Sequence, residues 1–235
     1  MFRKILFGAL TLLLALGLVG CGGNKGGDAG KTDAKTEAVT VEGTPEKAIL
    51  AYAQLYAYGQ VDDANKQSSS LTDADIDKAK KEIAAPIEKA FSQYPLNDES
   101  VAAVKMHYVD RLKAAMQMDA TVKTEDKEHP VVELKATTIN PADAMKAAEA
   151  NADLTALASA FDELKAQGLT DEQLKESADF QQFALESIDN FIKEYPLANE
   201  TSVEITCDAV KGSDGKMYWA PKNPAEISAF ITGQK

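Results

Sequence analysis

Residues 118–141 read MDATVKTEDKEHPVVELKATTINP. Met118, Ala120, Val122 and Thr124 alternate with polar residues, the charged EDKEHP follows, and Val132, Leu134 and Ala136 take up the alternation again. A period of two puts every second side chain on one face of a strand, so two such runs joined by a polar turn predict a β-hairpin. Asn140-Pro141 then supplies a capping side chain and a proline at the first helical position, and the chain returns to helix. A hairpin set between helical blocks is what decides the fold class.

Upstream, Thr44-Pro45-Glu46 opens a helix in which Ala48, Ile49, Tyr52, Leu55 and Tyr56 recur at helical spacing, with Gly59 as its stop. A second helical stretch runs from Thr72 to Phe91. A third starts near Asp98 and carries Val101, Val104, Tyr108, Leu112 and Met116 on one face. Downstream, the alanine-rich run from Pro141 to Gln167 and the run from Thr170 to Tyr195 predict two more helices. The latter opens on a capping box, Thr170 with Gln173. Val203 to Val210, a KGSDGK turn and Met217 to Ala220 predict a second hairpin, and Asn223-Pro224 with Glu226 opens a short last helix. Helices and strands gathered in runs, without βαβ alternation, predict an α+β fold: helices packed on an antiparallel sheet built from hairpins. YPLNDES at Tyr94 and YPLANET at Tyr195 match in four of seven places. They admit an internal duplication, or simply the same way of stopping a helix twice.

At the amino end, Arg3 and Lys4 precede a run from Ile5 to Val19 without a charge, and Gly20 stands just before Cys21. That is the order of an export signal. The run is shorter than the about 20 apolar residues a membrane-crossing helix needs. Leu18-Val19-Gly20-Cys21 resembles the lipobox of bacterial lipoproteins. The resemblance implies that the Cys21 thiol takes a diacylglyceryl group, that a peptidase cuts after Gly20, and that the chain is lipid-anchored in the cell membrane, facing the extracytoplasmic side. Residues 1–20 are then the signal peptide, 21–43 a lipidated, glycine-rich flexible tether, and 44–235 the folded domain.

The formal charge is 25 minus 37, or -12, and removal of Arg3 and Lys4 leaves 23 minus 37, or -14. Nucleic acid and anionic lipid are polyanions that a binding surface must neutralise, so no nucleic-acid partner is expected, and attachment to the bilayer must come from the acylated cysteine. With Cys21 occupied, Cys207 has no partner for a disulfide. Val203, Ile205, Cys207 and Ala209 share one face of a strand, which makes Cys207 a small buried apolar residue.

The helix ending in AYGQVDDANK, the central hairpin and the terminal SDGKMYWAPKNP look like bacterial lipoproteins known only as domains of unknown function. Many of these are similar to the cystatin-like or nuclear-transport-factor-2-like cone fold. That resemblance implies a curved antiparallel sheet wrapped on a long helix and brings no activity with it.

Signals for chemistry are sparse. Asp73, Asp75 and Asp77 have the spacing of a calcium loop, but Lys78 and Ala84 stand where glycine and glutamate are required. Acids in a first helical turn explain the three. His107, His129 and Cys207 lack neighbours at zinc-ligand spacing, and neither a nucleophile elbow nor a phosphate-cradling loop occurs. No metal or cofactor is expected. Asp110, Glu133, Glu204 and Asp208 fall off the apolar faces, where a carboxylate stays solvated. Tyr52, Tyr56 and Tyr108 lie on apolar helix faces and Trp219 in the last hairpin, either as core-boundary residues or as the lining of a ligand pocket in a cone's mouth. The expectation is a lipid-anchored, non-catalytic domain that binds a small ligand or an envelope protein. Its rivals are a hydrolase or isomerase using a cone cavity and the solute-binding subunit of a transporter.

Overall fold

The computed structural model describes residues 40–124 and 126–234, so Gly20, Cys21 and most of the tether lie outside the described residues. The chain is α+β. Its helices are α1 (Pro45–Tyr58), α2 (Asp63–Lys66), α3 (Asp73–Phe91), α4 (Asp98–Ala115), α5 (Pro141–Ala150), α6 (Ala152–Ala166), α7 (Asp171–Glu176), α8 (Ala178–Lys193) and α9 (Pro224–Ile231). Its strands are β1 (Val41–Glu42), β2 (Met118–Thr124), β3 (Val131–Ile139), β4 (Leu197–Lys211) and β5 (Met217–Pro221). They form one sheet in the order β1-β5-β4-β3-β2, antiparallel except where β1 runs parallel to β5.

Local chemistry sets the helix starts. Thr72 accepts from the Asp75 N–H while the Asp75 carboxylate accepts from the Thr72 N–H, a reciprocal cap, and Thr170 with Gln173 repeats it. Asn97, Asn140, Asn151 and Ser177 each accept from the N–H three residues on. Asn151 and Ser177 do something the periodicity conceals. Each ends one helix and caps the next, so the two long helices expected between Pro141 and Tyr195 are four.

Helix α1 is buried on all sides. Ala48, Ile49, Ala51, Ala53, Leu55 and Ala57 are at most 5% exposed, and the helix packs against β2, β3, β5, α2, α3, α4 and α9. A helix apolar all round belongs in the middle of a fold, and its small alanines let neighbours come close. Its one interior amide, Gln54, is satisfied by Asp62 and Asn65. Gly59 ends it at φ 67°, donating to the Leu55 carbonyl. A Cβ there would lie 2.8 Å from the Lys80 Cα, so glycine permits both the turn and the approach of α3.

Strand β4 is 15 residues long and changes neighbours part-way. Leu197 to Thr206 pair with β3, and Cys207 to Lys211 pair with β5. The strand read from Val203 therefore starts earlier, at Leu197. Ile205 and Cys207 are buried as expected, whereas Val203 is half-buried and Ala209, on the stretch paired with β5, is exposed. Val41 and Glu42, read as tether, enter the sheet beside Met217 and Tyr218, so the folded part begins before Thr44. The two YPL segments part company in structure: Tyr94-Pro95-Leu96 leads into a helix and Tyr195-Pro196-Leu197 into a strand.

Candidate functional site

The four aromatic residues singled out in the sequence sit in or against the main core. Tyr52 and Tyr56 lie along α1 with ring centroids 6.4 Å apart, and the Tyr52 hydroxyl is 3.0 Å from Ser70 Oγ. Tyr108 is buried edge-on to Tyr195 at 5.4 Å, and burial foremost pushes its hydroxyl well above the usual phenol range. Trp219 is half-buried on β5, opposite Ala209 and bridged to Ser69. None of the four lines any of the three clefts described next.

The first cleft, of about 360 Å³, lies where the end of α3, the Tyr94-Pro95-Leu96 loop, the start of α4 and the start of α7 converge. Ile87, Phe91, Leu96, Val101 and Val104 give it apolar walls, and Glu88, Gln93, Asp171, Glu172 and Lys175 a polar rim. Its loop is held rigidly. Buried Gln181 on α8 donates through Nε2 to the carbonyls of Pro95 and Leu174, both at 2.9 Å, and accepts from the Asn97 N–H at 2.9 Å. One side chain thus ties the loop to α7. Tyr94 is stacked edge-on to Phe161 at 5.5 Å, and burial, then the charge of Asp162, raises its hydroxyl to about 12.

Two rim acids are already paired, Glu88 with Lys105 at 2.5 Å and Asp171 with Lys165 at 3.0 Å. Gln93 is different: its Nε2 is buried without a hydrogen-bond acceptor among the described residues. A buried donor left unpaired costs free energy on the order of 1–3 kcal/mol, so such groups are few in folded proteins. Sequence reading missed this site because its parts come from four separated segments. The first YPL was visible only as a helix stop.

A second, more open groove of about 460 Å³ runs between α3 and α4, past Tyr58, Lys80, Lys105 and Met106. A third, of about 440 Å³, is polar and lies between Ser69–Asp73 and the Gly212–Asp214 turn. The three aspartates read against a calcium loop are spent locally: Asp73 pairs with Lys66, Asp75 caps α3, and Asp77 meets Lys80 at 3.6 Å. Among the described residues no group of three or more His, Cys, Asp or Glu is placed to hold a metal ion.

Both histidines have partners that sequence distance hid. His107 Nδ1 is 2.7 Å from Asp189 and His129 Nδ1 is 2.7 Å from Asp208, across 82 and 79 residues. Neither pair lines any of the three clefts. Glu133 is half-buried between Lys123 at 3.2 Å and Lys135 at 3.8 Å. Cys207 is free and buried, and burial, with Asp208 and Glu46 adding to it, raises its thiol to about 12.

None of the described helices is long and apolar enough to cross a membrane. No protein-family profile matches the chain, and no curated protein matches its sequence. Among solved structures it is similar to YcdA, a proposed lipoprotein of Bacillus subtilis, with a TM-score of 0.47 and 10% identity over 80% of this chain and 56% of that one. The chain therefore spans just over half the length of that protein.

Proposed function

We propose that this chain is an extracytoplasmic lipoprotein, held to the membrane by an acylated Cys21, and that its domain binds a small ligand in the cleft at Tyr94–Leu96 without transforming it. The lipobox and export signal support the anchoring. The cone-like reading belongs to the same proposal and is supported by α1, which packs on β2, β3 and β5 of one sheet. The binding role is carried by a single observation, the unpaired Gln93 amide in a cleft with apolar walls and a charged rim. Apolar walls supply affinity and one polar group fixes orientation, the usual division of labour in a ligand pocket. The ligand has an apolar body and an acceptor, a carbonyl or ether oxygen, for Gln93. The reading is binding rather than hydrolysis or isomerisation because two of the cleft's carboxylates, Glu88 and Asp171, are held in ion pairs by Lys105 and Lys165.

The test uses prodan, a neutral naphthalene ketone whose emission shifts to the blue on leaving water. Wild-type protein is expected to bind it with a blue shift, and Gln93→Leu to weaken binding about tenfold, the loss of one hydrogen bond of about 1.4 kcal/mol. Gln93→Leu is also expected to keep or raise the melting temperature, since it removes an unsatisfied donor. Equal binding by wild type and Gln93→Leu, or none by wild type, defeats the assignment.

A further inference from the structure

We infer that the outer edge of β4, at Glu200, Ser202 and Glu204, receives an extended basic segment of another protein by strand addition. The argument begins with which way the backbone points. On β3, the Thr137 N–H donates to Gln117, on the β2 side, so the residue opposite Thr137, Glu200, turns its own N–H and C=O away from β3. At the other end, the Cys207 N–H donates to Pro130 on the β3 side, whereas the Thr206 carbonyl accepts from Lys222 on the β5 side. The antiparallel ladder alternates, so Thr201, Val203 and Ile205 bond to β3, and Glu200, Ser202 and Glu204 present their N–H and C=O outward. Strand β5 pairs only from Cys207 onward. Among the described residues these six outward groups have no backbone partner, and all three residues are exposed.

An open edge of this kind templates another strand unless charged side chains, proline or a bulge blunt it, and the charges here are two glutamates, which turn away an acidic strand but not a basic one. Residues 199–206 contain neither proline nor lysine, and the one register shift against β3, between Leu197 and Glu200, ends before a ladder that is continuous from Glu200 to Thr206. The three positions span about 14 Å, enough for an incoming segment of five to seven residues.

Charge selects the occupant. Glu200 and Glu204 project from the same face of the strand, and neither has an ion pair among the described residues, while Glu133, directly opposite Glu204, is already neutralised by Lys123 and Lys135. A second copy fits badly. A two-fold antiparallel pairing centred on residue 200 sets Glu200 against itself, and one centred on residue 202 sets Glu200 against Glu204. Centring on Thr201 avoids direct opposition yet leaves four glutamates within diagonal reach on one face, where like charges destabilise. Lysine or arginine at alternate positions of an incoming strand instead meets each glutamate across a main-chain ladder, the ordinary mode of peptide recognition by β-addition.

The experiment uses the full chain in detergent and a synthetic peptide, Thr-Lys-Val-Lys-Thr-Lys-Val-Thr, with a counterpart carrying glutamate for lysine. The lysine peptide is expected to bind and to slow amide exchange at Glu200, Ser202 and Glu204 at least tenfold, leaving Thr201 and Val203, already paired to β3, little changed. Ser202→Pro, which removes one outward N–H that the fold does not use, is expected to abolish binding. The double change Glu200→Lys with Glu204→Lys is expected to exchange the preference for the glutamate peptide, and it stands as the test if Ser202→Pro does not fold. The inference is overturned if the lysine peptide fails to bind, if it binds without protecting the three amides, or if both peptides bind wild type alike. It is equally overturned if the protein alone is a dimer with those amides already protected.

Discussion

At Cys207 the side chain packs beneath β4 with no accessible surface, flanked by the charges of Asp208 and Glu46, and its thiol is raised from 9.0 to about 12. Burial disfavours the thiolate, so the folded protein keeps a proton that the unfolded chain gives up. Stability is then fully present below about pH 9 and drains away as pH climbs from about 9 towards 12. Tyr58 and Tyr94, both raised from 10.0 to about 12 by burial first, add to the decline above about pH 10. Melting temperatures are expected to hold from pH 8 to about 9 and to fall steadily from there to pH 11. Cys207→Ala is expected to be less stable at pH 8 but to show a shallower fall between pH 9 and 10, where the thiol begins to contribute ahead of the buried tyrosines. Parallel curves for the two proteins would mean that the thiol ionises as readily in the folded state as in the unfolded one. The same burial predicts that thiol reagents leave Cys207 untouched until the protein is denatured.

Among the elements, α3 carries a proline inside it, Pro86. Proline cannot donate to the Glu82 carbonyl one turn back, and an interior proline costs a helix about 3 kcal/mol relative to alanine. Pro86→Ala is therefore expected to stabilise the protein by about 1–3 kcal/mol, read as a higher urea midpoint with unchanged m-value. An unchanged or lower midpoint would show that the packing of Ile87 and Phe91 one turn on depends on the missing bond. Elements of this kind were legible wherever local chemistry decides them. Thr44, Thr72, Asn97, Asn140 and Thr170 announce helix starts, and the alternation at Met118 and Val132 announces the hairpin. Asn151 and Ser177 escaped notice because they interrupt runs whose apolar period continues across them, although their capping side chains were there to be read. The pairing of β1 with β5 and the length of β4 were illegible for a different reason: both depend on partners far away in sequence. The cleft failed to announce itself on the same ground, since Gln93, Gln181 and Glu172 mean nothing until the fold gathers them.

For the whole molecule, charge and anchor have to be weighed together. With the export signal removed, as proposed, the chain would carry -14, and of the three clefts described the one with several lysines also holds Glu88 and Asp110. A body so acidic is repelled by an anionic bilayer within a Debye length of about 8–10 Å, and lowering the salt lengthens that repulsion. Under the anchoring proposed above, attachment falls to the acyl chains, at about 0.8 kcal/mol per buried CH₂, and not to the acidic domain. Protein purified from the envelope of a bacterium that processes lipoproteins is expected to sediment with vesicles of phosphatidylcholine and phosphatidylglycerol at both low and high salt. Cys21→Ser is expected to remain in the supernatant at both. Salt is the discriminating variable, because a surface held by charge lets go as ionic strength rises and a buried acyl chain does not. If Cys21→Ser sediments at low salt and is released at high salt, a basic surface holds the protein to the bilayer. If it sediments at both, an apolar surface other than the acyl group does, and in either case the anchoring at Cys21 is wrong.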